Sequence, residues 1–121
     1  MRFLLTLSTL LLAAPAFAES IRLLVQSSPL AGSQYYAVTA QWEAMRVGDQ
    51  VTLIREPDNR HDRKAVRVEW RSHKLGYLPR AENGSVAAAM DAGERVVGRI
   101  SRLRDDPNPW RRVEIEVYVE L

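Results

Sequence analysis

Nine consecutive residues at the C-terminus, Val113–Leu121, alternate without a break. Val113, Ile115, Val117, Val119 and Leu121 fall on one side; Glu114, Glu116, Tyr118 and Glu120 fall on the other. A period of two fits a pleated strand with one face against a core. A helix would scatter the same apolar residues around its circumference. The glutamate face is expected to be solvated. A single amphipathic strand cannot bury its own apolar face, so the rest of the chain must supply a sheet around it.

Candidate strands recur along the chain. Ile21–Val25 reads as a first strand, broken by Ser27–Gly32. Gln34–Val38 is aromatic and β-prone, which makes it a second. Trp42–Val47 is ambiguous and Gly48-Asp49 signals a turn. Val51–Arg55 is a third strand. In the fourth, Val66, Val68 and Trp70 face one way and Arg67, Glu69 and Arg71 the other. Ser72-His73 fits a turn into a fifth strand, Lys74–Leu78, which Pro79 ends. Ala81–Ala92 is the one convincing helix, with Val86, Ala89 and Met90 on one face and Gly93 suited to a left-handed cap. Arg95–Leu103 and Val113–Leu121 complete seven candidates. The fold expected is mainly β: a small, partly closed antiparallel barrel with one or two short helices.

The N-terminus has a different character. Met1-Arg2 is a short positive start, Phe3–Ala14 is apolar and leucine-rich, and Ala16-Phe17-Ala18 is a small-x-small cleavage pattern. Residues 1–18 therefore read as a secretory signal peptide and 19–121 as one exported domain, periplasmic or secreted. About 12 apolar residues reach roughly 18 Å as a helix, short of a ~30 Å hydrocarbon core, so no stable membrane anchor is expected after cleavage. The chain has 17 Lys/Arg and 15 Asp/Glu, for a net charge of +2, or +1 without Arg2. Polyanion binding by net charge is not indicated. There is no cysteine, which excludes disulfides, thiolate nucleophiles and cysteine-based zinc sites.

Charge is concentrated locally. Leu53–Arg80 carries eight Lys/Arg against four acids. Within it, the turn Pro57–Asp62 admits three readings. Asp58, His61 and Asp62 are competent metal ligands, although a turn of this spacing imposes no ligand geometry. His61 and Asp62 could act as a general base and its orienting acid, which requires a bent turn. Otherwise the two aspartates cap turn amides and nearby arginines neutralise them. Tyr35-Tyr36 offers either two sheet aromatics or a platform for an unpaired base. Tyr77 and Arg80 lie close enough in sequence to contact a base or a phosphate. Asn83-Gly84-Ser85 is read as a helix-entry turn rather than a glycosylation site, and Trp110 as a packed ring beside a solvated Arg111-Arg112 pair.

The order of residues in this region resembles a known family. Val51–Val68, with its Arg55-Glu56-Pro57-x-Asn59-x-x-Asp62-x-x-Ala65-Val66 run, followed by Leu75-Gly76-Tyr77-Leu78-Pro79-Arg80, is similar to the HIRAN domain. Gly32-Ser33-Gln34-Tyr35-Tyr36 looks like that family's opening G-x-x-Y-Y element. The resemblance covers about Leu24 to Leu121. It implies an OB-like antiparallel β-barrel and capture of the 3′ end of single-stranded DNA. By that resemblance Tyr35 stacks on a base, with Gln34 and Tyr36 beside it. His61 and Asp62 meet the terminal nucleotide, Asp62 accepting the 3′-hydroxyl proton, and Tyr77 and Arg80 contact base or phosphate. Gln34 stands where eukaryotic members have Arg, and His61 where they have Tyr, which weakens one phosphate contact and one stacking ring.

The expected function is a monomeric, non-catalytic nucleic-acid-binding module with no cofactor and no metal. Its expected partner is single-stranded DNA or a nucleotide. The alternative is an exported domain that kept the fold and binds another ligand or an unidentified protein.

Overall fold

The computed structural model describes residues 21–121. The expected signal peptide at 1–18 lies outside these residues. Six strands form one antiparallel sheet: β1 (Arg22–Pro29), β2 (Gln50–Glu56), β3 (Ala65–Trp70), β4 (His73–Tyr77), β5 (Arg95–Leu103) and β6 (Val113–Glu120), in the order β1-β6-β5-β2-β3-β4. Two short helices, α1 (Val38–Gln41) and α2 (Gly84–Asp91), complete the regular structure with 3₁₀ turns at Ser33–Tyr35 and Pro109–Arg111. No helix among the described residues is long and apolar enough to cross a membrane.

β6 is an interior strand, paired with β1 on one side and β5 on the other. Its odd-numbered residues are buried as the alternation requires, Ile115 and Val117 completely. They pack with Val66, Val68 and Trp70 of β3, Val51 and Leu53 of β2, and Ile100 of β5. The side chain of Gly98 is absent for a reason: a Cβ there would stand 2.9 Å from Val51 Cγ2. The glutamate face is not simply solvated. Glu120 lies between Arg22 and Arg95, Glu116 pairs with Arg99, and Ser27 donates to Glu114 at 2.8 Å. Cross-strand neighbours on β1 and β5 supply the partners, so this face is a ladder of opposite charges.

Two strand boundaries differ from expectation. β1 continues through the serines to Pro29, because the backbone keeps pairing with β6 as far as Pro29↔Glu114. An edge strand tolerates the proline, whose missing N–H is not needed by a neighbour. Gln34–Val38 is not a strand at all. Gly32, left-handed at φ 73°, turns the chain, and local bonds from Tyr35 N to Gly32 O and Tyr36 N to Ser33 O make a 3₁₀ turn that leads into α1. The β-propensity of two adjacent tyrosines yields to a glycine-started turn, as propensity without a paired neighbour does.

Smaller shifts follow the same local chemistry. The β3–β4 hairpin turns at Arg71 and Ser72, both at positive φ, with Trp70 opposite His73. α2 is shorter than Ala81–Ala92 and buries Val86 and Ala87 rather than Ala89. Its end is a Schellman cap: Gly93 N bonds Met90 O and Glu94 N bonds Ala89 O. Trp110 is not packed; it is 50% exposed on the second 3₁₀ turn.

The sheet curls without closing as a continuous ladder. Its edges meet at one pair, where Ala31 N donates to Tyr77 O at 2.8 Å and Tyr77 N to Ala31 O at 3.0 Å. Gly76 makes that seam possible: a Cβ there would lie 2.6 Å from Ala31 O. The fold is thus mainly β and OB-like, but the expected barrel is a curled open sheet whose ends touch at this one isolated bridge.

Candidate functional site

The turn between β2 and β3 is held from within. Asn59 Oδ1 accepts from the amides of His61 at 2.9 Å and Asp62 at 3.1 Å. Asp62 Oδ1 accepts from Lys64 N at 2.9 Å, and its Oδ2 from Asn83 Nδ2 at 2.7 Å. These bonds bend the chain so that the His61 and Asp62 side chains are set by the turn rather than by strand alternation. Burial pushes the Asp62 carboxyl up, but the Lys64 amide, Asn83 and the charges of Arg80 and Lys64 prevail and hold it below its ordinary range. Asp62 is therefore ionised at neutral pH.

Next to the turn lies the seam. Tyr77 Oη donates to Glu56 Oε1 at 2.8 Å, Asn59 Nδ2 donates to the same oxygen at 2.9 Å, and Arg67 Nη1 donates to Glu56 Oε2 at 2.8 Å. Burial would raise the Glu56 carboxyl; Asn59, Tyr77, Arg67 and Lys74 together lower it. Burial raises the Tyr77 phenol, and the bond to Glu56 adds to this while Lys74 opposes it. Tyr36 meets Tyr77 edge to face, with ring centroids 6.1 Å apart and 65° between planes. The Lys74 ammonium lies over both rings, 4.2 Å from the Tyr36 centroid and 4.6 Å from that of Tyr77. One cation thus fixes two aromatic rings at the barrel's joint.

Turn and seam enclose a groove of about 290 Å³. Its walls are Tyr36, Tyr77, His61, Asp62 and Arg80; its floor is apolar, from Ala31, Ala65 and Leu78. A wider depression of about 640 Å³ adjoins it through Asn59, His61, Asp62 and Arg80, and adds Arg60 and Arg63. The arrangement offers ring faces and an apolar floor to a planar group, cations to an anion, and an ionised carboxylate to a donor.

Five residues expected from the sequence, Tyr36, His61, Asp62, Tyr77 and Arg80, come together in this groove. Gln34 and Tyr35 do not line it. They are exposed on the 3₁₀ turn, Tyr35 at 78%, because that turn directs Tyr36 alone toward the seam. Asp58 is exposed in the wider depression, and both Asp62 oxygens already accept hydrogen bonds. Among the described residues no group of three His, Asp or Glu side chains is placed to hold a metal. Sequence reasoning missed Glu56, Lys74 and Asn83 as organisers of the site. Local pattern could not show them, because the links from Glu56 to Tyr77 and from Asp62 to Asn83 span 21 residues each. Asn83 itself is 1% exposed and engaged with Asp62, so the Asn83-Gly84-Ser85 sequon is closed to a glycosylating enzyme in the folded chain.

Comparison with known proteins bears on the fold and the family. A protein from Lactobacillus plantarum has a crystal structure similar at TM-score 0.72, with 28% identity over 84% of this chain and 97% of that one. The HIRAN domain of human HLTF is similar in fold at TM-score 0.58, with 20% identity over 84% of this chain and 74% of that one. No curated protein matches the sequence. The family model for the HIRAN domain matches residues 23–121, from β1 to the last residue, and the chain belongs to the HIRAN domain family.

Proposed function

We propose that this protein is a nucleic-acid-binding module that receives the 3′ end of a single strand without doing chemistry on it. Family membership supports nucleic-acid binding. The observation that carries the finer reading is the composition of the groove: two tyrosine rings, Arg80 and His61 around an apolar floor, at a turn whose carboxylate is held ionised. In this reading the terminal base lies against Tyr36 and Tyr77. Stacking of this kind contributes about 1–3 kcal/mol per base. Arg80, with Arg60 and Arg63 beside it, takes the adjoining phosphate. Asp62 accepts the 3′-hydroxyl proton through lone pairs that Lys64 N and Asn83 leave free, since a carboxylate offers about four acceptor sites. Gln34 and Tyr35, outside the groove, serve the next nucleotide.

The same proposal places the protein outside the cytoplasm, with residues 1–18 as a cleaved signal. N-terminal sequencing of the protein from the envelope or medium fraction should then begin at Glu19. The strand bound would be extracytoplasmic DNA, or its place would be taken by a free nucleotide.

Binding of labelled single-stranded oligonucleotides with free and phosphate-blocked 3′ ends, across a salt series, tests the reading. A preference for the free end that disappears in Asp62→Asn supports end capture. Equal affinity for both ends would leave a general single-strand binder. Absence of binding even at low salt would remove nucleic acid as the ligand.

A further inference from the structure

A second groove, of about 340 Å³, lies between the end of β1 and the 3₁₀ turn at Pro109–Arg111. Pro29, Trp110, Arg102, Arg104 and Arg111 line it. Arg104 and Arg111 are exposed and have no carboxylate within ion-pair distance among the described residues. Arg102 is 3.9 Å from Glu114, the one acid in the groove, and that carboxylate also accepts from Ser27 Oγ at 2.8 Å. Two cations and a half-exposed indole therefore remain uncommitted there.

The two grooves are neighbours. Pro29 borders this one and Ala31 borders the seam groove. Between them Leu30 is buried at 1% and points the other way. Alternate residues of an extended segment share a face and lie about 7 Å apart. The turn carrying Tyr35 is tied to the turn carrying Trp110 by Ser33 Oγ, which donates to Pro109 O at 3.3 Å. The exposed Tyr35 ring thus stands on a turn that leads into Tyr36 of the first groove and is bonded to the turn that carries Trp110 of the second.

We propose that the second groove carries the phosphodiester backbone of the same strand whose end enters the first, extending the footprint toward the strand's 5′ side. This rests on the reading of the seam groove as a strand-end site. Arg104 and Arg111 contact successive phosphates, and the neighbouring indole gives an unpaired base a face to stack on.

The test is the length dependence of affinity. The full-length protein and an Arg104→Gln/Arg111→Gln variant are titrated with oligothymidylates from the dinucleotide upward, in a salt series. Wild type should bind longer strands roughly tenfold more tightly than the dinucleotide, with a steeper salt dependence. The variant should match wild type on the dinucleotide and lose that gain. Its salt slope on long strands should fall by about 1.4, as two phosphate contacts on a single strand imply. Dinucleotide binding with an unchanged length dependence in the variant would overturn this proposal and leave the seam site standing. No dinucleotide binding by either protein would overturn both. Equal displacement of the long strand by oligoglutamate would assign the groove to acidic protein instead.

Discussion

The side-chain amide of Asn83 is 1% exposed and donates to Asp62 Oδ2 at 2.7 Å. This bond joins the β2–β3 turn to the entrance of α2, across 21 residues. Asp62 is thus a structural acceptor whatever it does for a ligand. Asp62→Ala should destabilise the fold by about 1–3 kcal/mol, because it strands a buried donor and releases the Lys64 amide. Chemical denaturation of both proteins measures this. A loss below about 1 kcal/mol would mean that the Asp62 carboxylate serves the ligand alone.

Acid should expose the same linkage. Asp62 and Glu56 both titrate below their ordinary values of 3.8 and 4.5 in the folded chain. Each therefore binds a proton more weakly when folded than when unfolded. The stabilisation this gives is complete above the ordinary carboxylate range and is lost as pH falls through it and below. Denaturation midpoints should hold from about pH 7 to 5 and decline toward pH 3, and Asp62→Asn should flatten that decline.

Gly76 should be intolerant of a side chain. Its φ is 154°, and a Cβ would stand 2.6 Å from Ala31 O, on the bond pair that joins β4 to the end of β1. Gly76→Ala should destabilise by roughly 2 kcal/mol or more and weaken strand binding, since the seam positions Tyr77. Wild-type stability and affinity in this variant would show that the seam is not needed.

Trp70 should behave as core. It is 2% exposed and its Nε1 donates to Asp49 Oδ2 at 3.0 Å. Trp70→Ala should cost about 3–5 kcal/mol. Trp70→Phe keeps most of the packing and should show the smaller loss of one hydrogen bond, about 1 kcal/mol. A Trp70→Ala loss under about 1 kcal/mol would place the inner face of β3 on the wrong side.

The two groove tyrosines should differ in what their hydroxyls matter for. Tyr36→Ala and Tyr77→Ala should each weaken single-strand binding by about 1–3 kcal/mol. Tyr77→Phe should retain the stacking surface and lose stability instead, because Glu56 loses the donor that Tyr77 Oη supplies at 2.8 Å. Titration with a labelled oligonucleotide and a denaturation curve separate the two effects. Equal affinity of Tyr77→Ala and wild type would remove this ring from the binding site.

Much of the sheet was present in local pattern. The alternation of Val113–Val119 and of Val66–Trp70 assigned the core side of both strands, because strand geometry alone decides which residues share a side; Leu121, past the end of β6, is exposed instead. The family's residue order names five residues that line the groove, Tyr36, His61, Asp62, Tyr77 and Arg80. Periodicity is silent about pairs that meet by folding. That Tyr36 rather than Tyr35 enters the groove follows from a turn begun by left-handed Gly32, against the β-propensity of both rings. The glutamates of β6 find arginines only because β1 and β5 flank it in the sheet. Lys74 fixes Tyr36 and Tyr77 only because the barrel's edges meet at Ala31 and Tyr77. The sequence by itself determined six of the seven expected strands, the core side of β3 and β6, and the family, since these depend on residues near one another along the chain. The tertiary structure alone decided the seam, the groove and its charge pairing, since each joins residues that only long-range strand pairing brings within reach.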